Sequence, residues 1–276
     1  MKNGSYYIPR EKISISSVMN DFEGLTMGWE TDPAVARRIL PPPLELPDPD
    51  HPIAFAYVVN IRDPEFAPWY MEACLGLMSR HREFAGPYFL NLQLSGPGAL
   101  MGMCLGRENS YLPKKLCERI VVERIDDYAR AFVEAKGRRI FDVEAEIGVE
   151  NEPSAGQNPL LKTGPQPRSS CFVFQQQFGS REARLLAYSN ISEVHSIEPA
   201  TIKSIVMEPS LDDPWAELSV VKPLWVTYGV HSEGPSEVLE LARLEGDEAE
   251  GLSSYLFAGR WDRSTICRGH QRYGQF

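Results

Sequence analysis

From Phe141 to Ile147 the chain reads Phe-Asp-Val-Glu-Ala-Glu-Ile, an unbroken alternation of apolar and acidic side chains. A period of two puts Phe141, Val143, Ala145 and Ile147 on one side of an extended backbone and the carboxylates on the other. Only a β-strand with one buried face satisfies that pattern. Much of the chain repeats this texture less regularly. Runs rich in β-branched and aromatic residues, bounded by turn residues, predict further strands. They lie at Ile53–Ile61, Tyr88–Leu94, Leu100–Leu105, Arg119–Arg124, Tyr128–Glu134, Ile140–Ile147, Cys171–Phe178, Arg184–Tyr188, Ser192–His195, Thr201–Met207, Leu218–Lys222 and Trp225–Val230. Helices are few. Thr31-Asp32-Pro33 opens one that runs through Leu40, with Asp32 as N-cap and Pro33 in the first helical position. Pro41, Pro42 and Pro43 stop it. Ser236–Leu244 has helical spacing of Val238, Leu239 and Leu241. Ser95-Gly96-Pro97-Gly98-Ala99 falls between two predicted strands and reads as a hairpin turn. Asn151–Ser170 is rich in Pro, Gly, Asn and Ser and reads as a long loop. The strand texture continues on both sides of it, so it does not divide the chain. The expected fold is one strand-dominated α+β domain over residues 1–276, a barrel or packed sheets with a few short helices.

The charge balance narrows the partners. Lys and Arg number 28 against 38 Asp and Glu, a net charge of −10. Nucleic-acid binding needs clustered cations, so neither nucleic acid nor an anionic membrane is an expected partner. Met1–Lys12 contains no apolar core of a secretory signal, and no apolar run is long enough to span a bilayer. The five cysteines, Cys74, Cys104, Cys117, Cys171 and Cys267, are odd in number and form no C-x-x-C pair. Buried thiols in a reducing cytoplasm are expected, not a disulfide framework or a zinc site. The five histidines show no metal-ligand spacing. Arg260, Arg263, Arg268 and Arg272, among Trp261, His270, Tyr273 and Phe276, read as a solvated or oligomer-contacting terminus.

Phosphate-loop, nucleophile-elbow and zinc-protease motifs are all absent. One segment stands out, Gly106-Arg107-Glu108-Asn109-Ser110-Tyr111-Leu112-Pro113-Lys114-Lys115-Leu116, whose Lys-Lys pair taken alone reads either as a solvated turn or as an amine site. A lysine acts as an amine nucleophile only when neutral. From an ordinary pKa of about 10.4 that requires a fall of roughly three to four units, on the order of 5 kcal/mol. Burial in an apolar cleft and a neighbouring cation can both supply it.

Gly106-Arg107-Glu108 followed at fixed spacing by Pro113-Lys114-Lys115 resembles the signature of the acetoacetate decarboxylase family. Acetoacetate decarboxylase is itself the standard example of a lysine activated by desolvation or a neighbouring cation. Collinear matches extend the resemblance over roughly residues 20 to 240: the early helix and its prolines, Tyr70-Met71-Glu72, Ile191-Ser192-Glu193-Val194, and Met207-Glu208-Pro209. The resemblance implies that Lys114 forms the Schiff base, Lys115 lowers its neighbour's pKa, and Glu72 manages protons at the reacting carbons. It places Tyr70, Phe22, Ala56 and Tyr111 around the substrate. Two of these depart from the family pattern. Phe22 stands where the decarboxylase has a carboxylate-gripping arginine, and Ala56 where it has a second glutamate.

The implied activity is a Schiff-base-forming carbon–carbon lyase: a β-keto acid decarboxylase not specific for acetoacetate. The alternative within the superfamily is an aldolase–dehydratase acting on pyruvate plus an aldehyde. A third reading is a barrel that binds a hydrophobic carbonyl compound without turnover, lined by Trp69, Tyr70, Tyr88, Trp225 and Tyr228. The resemblance implies a homo-oligomer acting on a small-molecule keto acid. Because a protonated imine serves as its own electron sink, no metal and no organic cofactor is expected.

Overall fold

The computed structural model describes residues 16–148, 163–166, 169–177 and 179–264. Most of the predicted Asn151–Ser170 loop, and Cys267, Arg268, His270, Arg272, Tyr273 and Phe276 of the tail, lie outside the described residues. The strands are β1 (Met19–Glu30), β2 (Ile53–Pro64), β3 (Tyr70–His81), β4 (Phe84–Ser95), β5 (Lys114–Leu116), β6 (Arg119–Ile125), β7 (Tyr128–Ala135), β8 (Arg138–Ile147), β9 (Gly164–Pro165), β10 (Ser169–Gln176), β11 (Glu182–Asn190), β12 (Ser192–Val206), β13 (Lys222–Glu233) and β14 (Glu237–Glu245). Among the described residues the helices are α1 (Pro33–Ile39), α2 (Ala99–Ser110) and α3 (Gly246–Arg260), with one 3₁₀ turn at Trp215–Glu217. Strand-dominated α+β is therefore what the chain forms.

All the strands belong to one sheet, in the order β14-β11-β10-β4-β3-β2-β1-β13-β12-β8-β7-β6. β5 is added to β4 and β9 to β12. Among the described residues no ladder closes the sheet, but it curls so that β11 and β13 approach each other. Asn190 at the end of β11 bonds Glu233 at the end of β13, and the N–H of Gly234 donates to the Ile191 carbonyl at 2.8 Å. The central strand β3 is buried on both faces over much of its length, whereas its neighbour β2 alternates half-buried and buried positions from Ile53 to Val58. The core on one side holds Trp29, Phe141 and Trp215, with Phe141 centred 5.0 Å from Trp215 and 6.3 Å from Trp29. Both indoles find acceptors, Leu218 O at 2.9 Å and Asn91 Oδ1 at 2.8 Å, so their polar edges cost little on burial.

α1 forms as its caps require: Asp32 accepts from the N–H groups of Ala34 (2.8 Å) and Val35 (3.0 Å). Five expectations are corrected. Leu100–Leu105 lies in α2, not in a strand. Leu100 and Met101 face outward, 60% and 50% exposed, and Ala, Leu and Met favour the helix once the preceding turn frees the segment from the sheet. Ser95–Ala99 is thus a strand-to-helix turn, not a hairpin. A Cβ on Gly98 would stand 1.9 Å from the Pro68 carbonyl oxygen, so only glycine permits that crossing.

Ser236–Leu244 forms strand β14, because its backbone completes a ladder with β11. The helix follows it, at α3, with Asp247 and Glu248 in the first turn and Arg260 in the last, as the helix dipole favours. Ser192–His195 and Thr201–Met207 are parts of one strand, β12, which pairs β13 and then β8 across two register shifts. Leu218–Lys222 forms no strand of its own: the 3₁₀ turn precedes it, and β13 begins at Lys222. No helix among the described residues is long and apolar enough to cross a membrane.

Candidate active site

The 106–116 segment builds a short link from α2 into β5. Tyr111 takes the left-handed conformation (φ 57°) that ends α2, and the N–H groups of Tyr111 and Leu112 both return to the Gly106 carbonyl. Pro113 then offers its carbonyl to the Leu92 N–H at 2.9 Å, and β5 runs parallel to β4 with Lys114 opposite Leu92. Gly106 has a steric reason to be glycine. A Cβ there would lie 2.7 Å from Lys114 Cδ and 2.8 Å from Cε, so the lysine stem passes directly over the helix backbone.

Alternation along β5 sends its two lysines to opposite faces. Lys114 enters a cavity of about 520 Å³. Its Nζ donates to Glu72 Oε2 at 2.6 Å, and Tyr57 OH donates to Glu72 Oε1 at 2.7 Å. The lysine and glutamate side chains are 5% and 4% exposed. Lys115 points away from the cavity. Its Nζ bonds Asp213 Oδ1 (2.8 Å), Asp262 Oδ1 (2.8 Å) and the Asp212 carbonyl (2.7 Å). Its charge is thus matched by two carboxylates that tie β5 to the 212–213 loop and to the segment after α3. Burial, followed by the negative charge of Glu72, pushes the Tyr57 phenol well above its ordinary value, so it remains a donor.

The other expected residues divide. Phe22 lines the cavity and stacks on His231 with ring centroids 4.8 Å apart. Ala56 does not line it. It packs in the core between Met27 and Leu75, while its neighbours Phe55 and Tyr57 face the cavity. Tyr70 lies beneath the site, wholly buried, its hydroxyl 3.4 Å from Met19 Sδ. Tyr111 belongs to a separate crevice with Arg107 and Arg260. Of the aromatic residues put forward as a lining, Trp225 faces the cavity, Tyr88 and Tyr228 are core, and Trp69 is 49% exposed. Arg260 is no solvated tail residue: it donates to the carbonyls of Tyr111 (2.6 Å) and Phe174 (2.8 Å).

Three site residues escaped the sequence reading: Tyr57, His231 and Glu233. Nothing local to residues 57, 231 or 233 announces them. Tyr57 stands one position from Ala56, and only its side of β2 distinguishes them. Burial, then the charge of His195, lowers the His231 imidazole to about 4, so it is neutral near pH 7. Burial, then the charge of Glu72, raises the Glu233 carboxyl to about 7. Cys74 and Cys171 are buried free thiols, and burial raises both well above the ordinary range. No group of three or more His, Cys, Asp or Glu among the described residues is placed to hold a metal ion.

Known proteins share both sequence and architecture with this chain. It is 34% identical over 260 residues, 89% of either chain, to a protein of Lactiplantibacillus plantarum named CLA biosynthesis isomerase. Its fold matches acetoacetate decarboxylase from Legionella pneumophila with a TM-score of 0.69, at 15% identity, over 88% of this chain and 93% of that one. It also matches the enduracididine biosynthesis enzyme MppR, solved with pyruvate, with a TM-score of 0.63, at 15% identity, over 84% of this chain and 92% of the other. The family pattern of acetoacetate decarboxylase fits residues 5–240, so the chain belongs to the acetoacetate decarboxylase family.

Proposed function

We propose that this protein is a Schiff-base enzyme that shifts a proton along the carbon skeleton of a hydrophobic carbonyl compound, and is thus an isomerase. The observation that carries this reading is the lining of the cavity. Apart from the Lys114–Glu72–Tyr57 cluster, its walls are mostly apolar: Phe22, Ile53, Phe55, Met78, Phe89 and Trp225. Among the described lining residues Lys114 is the one Lys or Arg, and the neutral His231 adds no cation. A short keto acid would find no second positive group to hold its carboxylate; a charge-assisted contact of that kind contributes about 1.5–3 kcal/mol. A larger apolar substrate is held by burial instead. The name of the Lactiplantibacillus plantarum relative, an isomerase, supports the same class.

In this reading Glu72 takes the proton from the Lys114 ammonium, and the free amine attacks the carbonyl carbon. Water leaves as the C–O bond breaks, giving a protonated imine. Glu72, restored to the carboxylate, removes a proton from the adjacent carbon. The C–H pair becomes a carbon–carbon double bond, and the imine π pair moves onto nitrogen. If the substrate carries a double bond one carbon further on, the product is a dienamine. Protonation at its far end restores the imine with the double bond conjugated, and hydrolysis returns ketone and Lys114. Tyr57 holds Glu72 in place, and Lys115 anchors β5. The same imine would lose carbon dioxide from a β-keto acid, which is the lyase reading.

The test is incubation with a medium-chain β,γ-unsaturated ketone and, separately, acetoacetate. Conjugation is followed by ultraviolet absorbance, carbon dioxide by gas release, and adducts by borohydride reduction and intact mass. Expected are an adduct at Lys114, conjugation of the ketone, and slow or absent release of carbon dioxide. No adduct with either compound overturns the Schiff base. Rapid decarboxylation of acetoacetate without conjugation overturns the isomerase.

A further inference from the structure

Glu233 has no structural explanation of the usual kind. It ends β13, opposite Met19 of β1 and Ser192 of β12, and its side chain lines the same cavity as Lys114 and Glu72. Among the described residues no Lys or Arg lies within 4.0 Å of it. Its one basic neighbour at that distance is His231, Nε2 to Oε1 4.0 Å. A carboxylate largely withdrawn from water, 23% of its side chain exposed, and without an ion-pair partner weakens the fold, and such groups concentrate where chemistry needs them. Glu72 meanwhile has both oxygens occupied, one by Lys114 and one by Tyr57. That fixes it beside the imine nitrogen and the first carbon. A carbon two bonds further on needs a second proton carrier or a large movement of the first.

We infer that Glu233 is that carrier, the acid that protonates the far end of the dienamine while Glu72 removes the proton next to the imine; this rests on the isomerase reading above. In the step, the Glu233 O–H bond breaks. The π pair of the terminal double bond forms the new C–H bond, and the nitrogen lone pair returns to the imine. Glu72 ends with one extra proton and Glu233 with one fewer, and exchange through solvent in the cavity resets both. The groups facing Glu233 agree with the role. Burial, then the charge of Glu72 from β3, raises its carboxyl, and Lys114 from β5 and the Asn190 amide from β11 lower it, leaving it at about 7. Tyr57, Tyr70, Tyr188 and Cys171 face it as neutral groups, each raised by burial. His231 is the neutral imidazole. A carboxylic acid titrating near 7 is present in both forms at neutral pH, as a reversible proton carrier should be.

The experiment follows two deuterium labels in D₂O, at the carbon next to the carbonyl and at the far end of the migrating double bond, in wild type, Glu233→Gln and Glu233→Asp. In wild type, labelling at the far carbon should fall as pH rises through about 7, while labelling next to the carbonyl should not follow that limb. Glu233→Gln should keep the borohydride adduct at Lys114 and the near-carbon exchange. It should lose far-carbon labelling and conjugation by roughly 100-fold or more, the usual worth of a general acid. Glu233→Asp should restore part of the loss. Far-carbon labelling in Glu233→Gln at the wild-type rate overturns the inference, as does parallel loss of adduct and both labels. If the substituted chains do not fold, a wild-type far-carbon profile flat between about pH 6 and 8 overturns it alone. Absence of adduct and of near-carbon exchange in wild type would instead sink the Schiff-base reading itself.

Discussion

Replacing each of the adjacent lysines by methionine separates chemistry from anchoring. Both side chains are buried, at 5% and 8% exposure, and each sits in an ion pair. Lys115→Met leaves Asp213, 1% exposed, and Asp262, 23% exposed, without the cation between them. Removing one partner of a buried pair costs about 3–5 kcal/mol, because the remaining charge is left uncompensated. Lys136 stays on Asp262 at 2.9 Å and Gln93 on Asp213 at 2.6 Å, which places the loss at the lower end of that range. At roughly 2–4 °C per kcal/mol for a chain of this size, the melting temperature should fall by at least roughly 6 °C. Lys114→Met leaves Glu72 facing a cavity and still bonded by Tyr57, so its thermal cost should be smaller. Differential scanning calorimetry gives the two melting temperatures, and borohydride trapping with a ketone gives the adducts. Lys114→Met should abolish trapping while remaining folded. Lys115→Met should melt early yet still form the adduct below its melting point. A Lys115→Met protein as stable as wild type but unable to form the adduct would refute the anchoring argument. Lys115 would then act on the neighbouring amine by its charge.

Two further outcomes follow from particular contacts. Gly106→Ala should slow adduct formation without unfolding the protein, because the added methyl meets Lys114 Cδ at 2.7 Å and must displace the stem; trapping rates equal to wild type would show that the stem relaxes freely. His231, lowered to about 4 by burial and then by His195, makes a contribution to stability that is intact above its unfolded value of about 6.5 and is lost as pH falls toward 4. Between about pH 7 and 5 that loss approaches about 2 kcal/mol. Glu233, raised to about 7, acts with the opposite sign over nearly the same window, so the histidine must be isolated by substitution. His231→Gln should therefore lose less melting temperature than wild type on acidification from pH 7 to 5, and equal losses would show that the imidazole takes up its proton in the fold as readily as in the unfolded chain.

The strand-dominated class, the α1 helix with its Asp32 cap, and the lysine segment with its family resemblance were legible because each is a local pattern. Alternation over β8, a cap followed by proline, and Gly106 through Lys115 are all written in consecutive residues. Strands buried on both faces were not legible, since they lack alternation; β3, which carries Glu72, is one. Nor were the helix α2 and the strand β14, whose apolar spacing suits either state until a neighbouring backbone is present. The site itself was decided by register. In a strand a shift of one residue exchanges the faces, so Tyr57 faces the cavity where Ala56 was expected, and Lys114 enters it while Lys115 turns away. The sequence by itself singled out the lysine-bearing segment that reaches the cavity. Only the curl of the sheet brought residues 57, 72, 114, 231 and 233 to one cavity, because ladders between strands far apart in the chain, not neighbours along it, set which side chains meet.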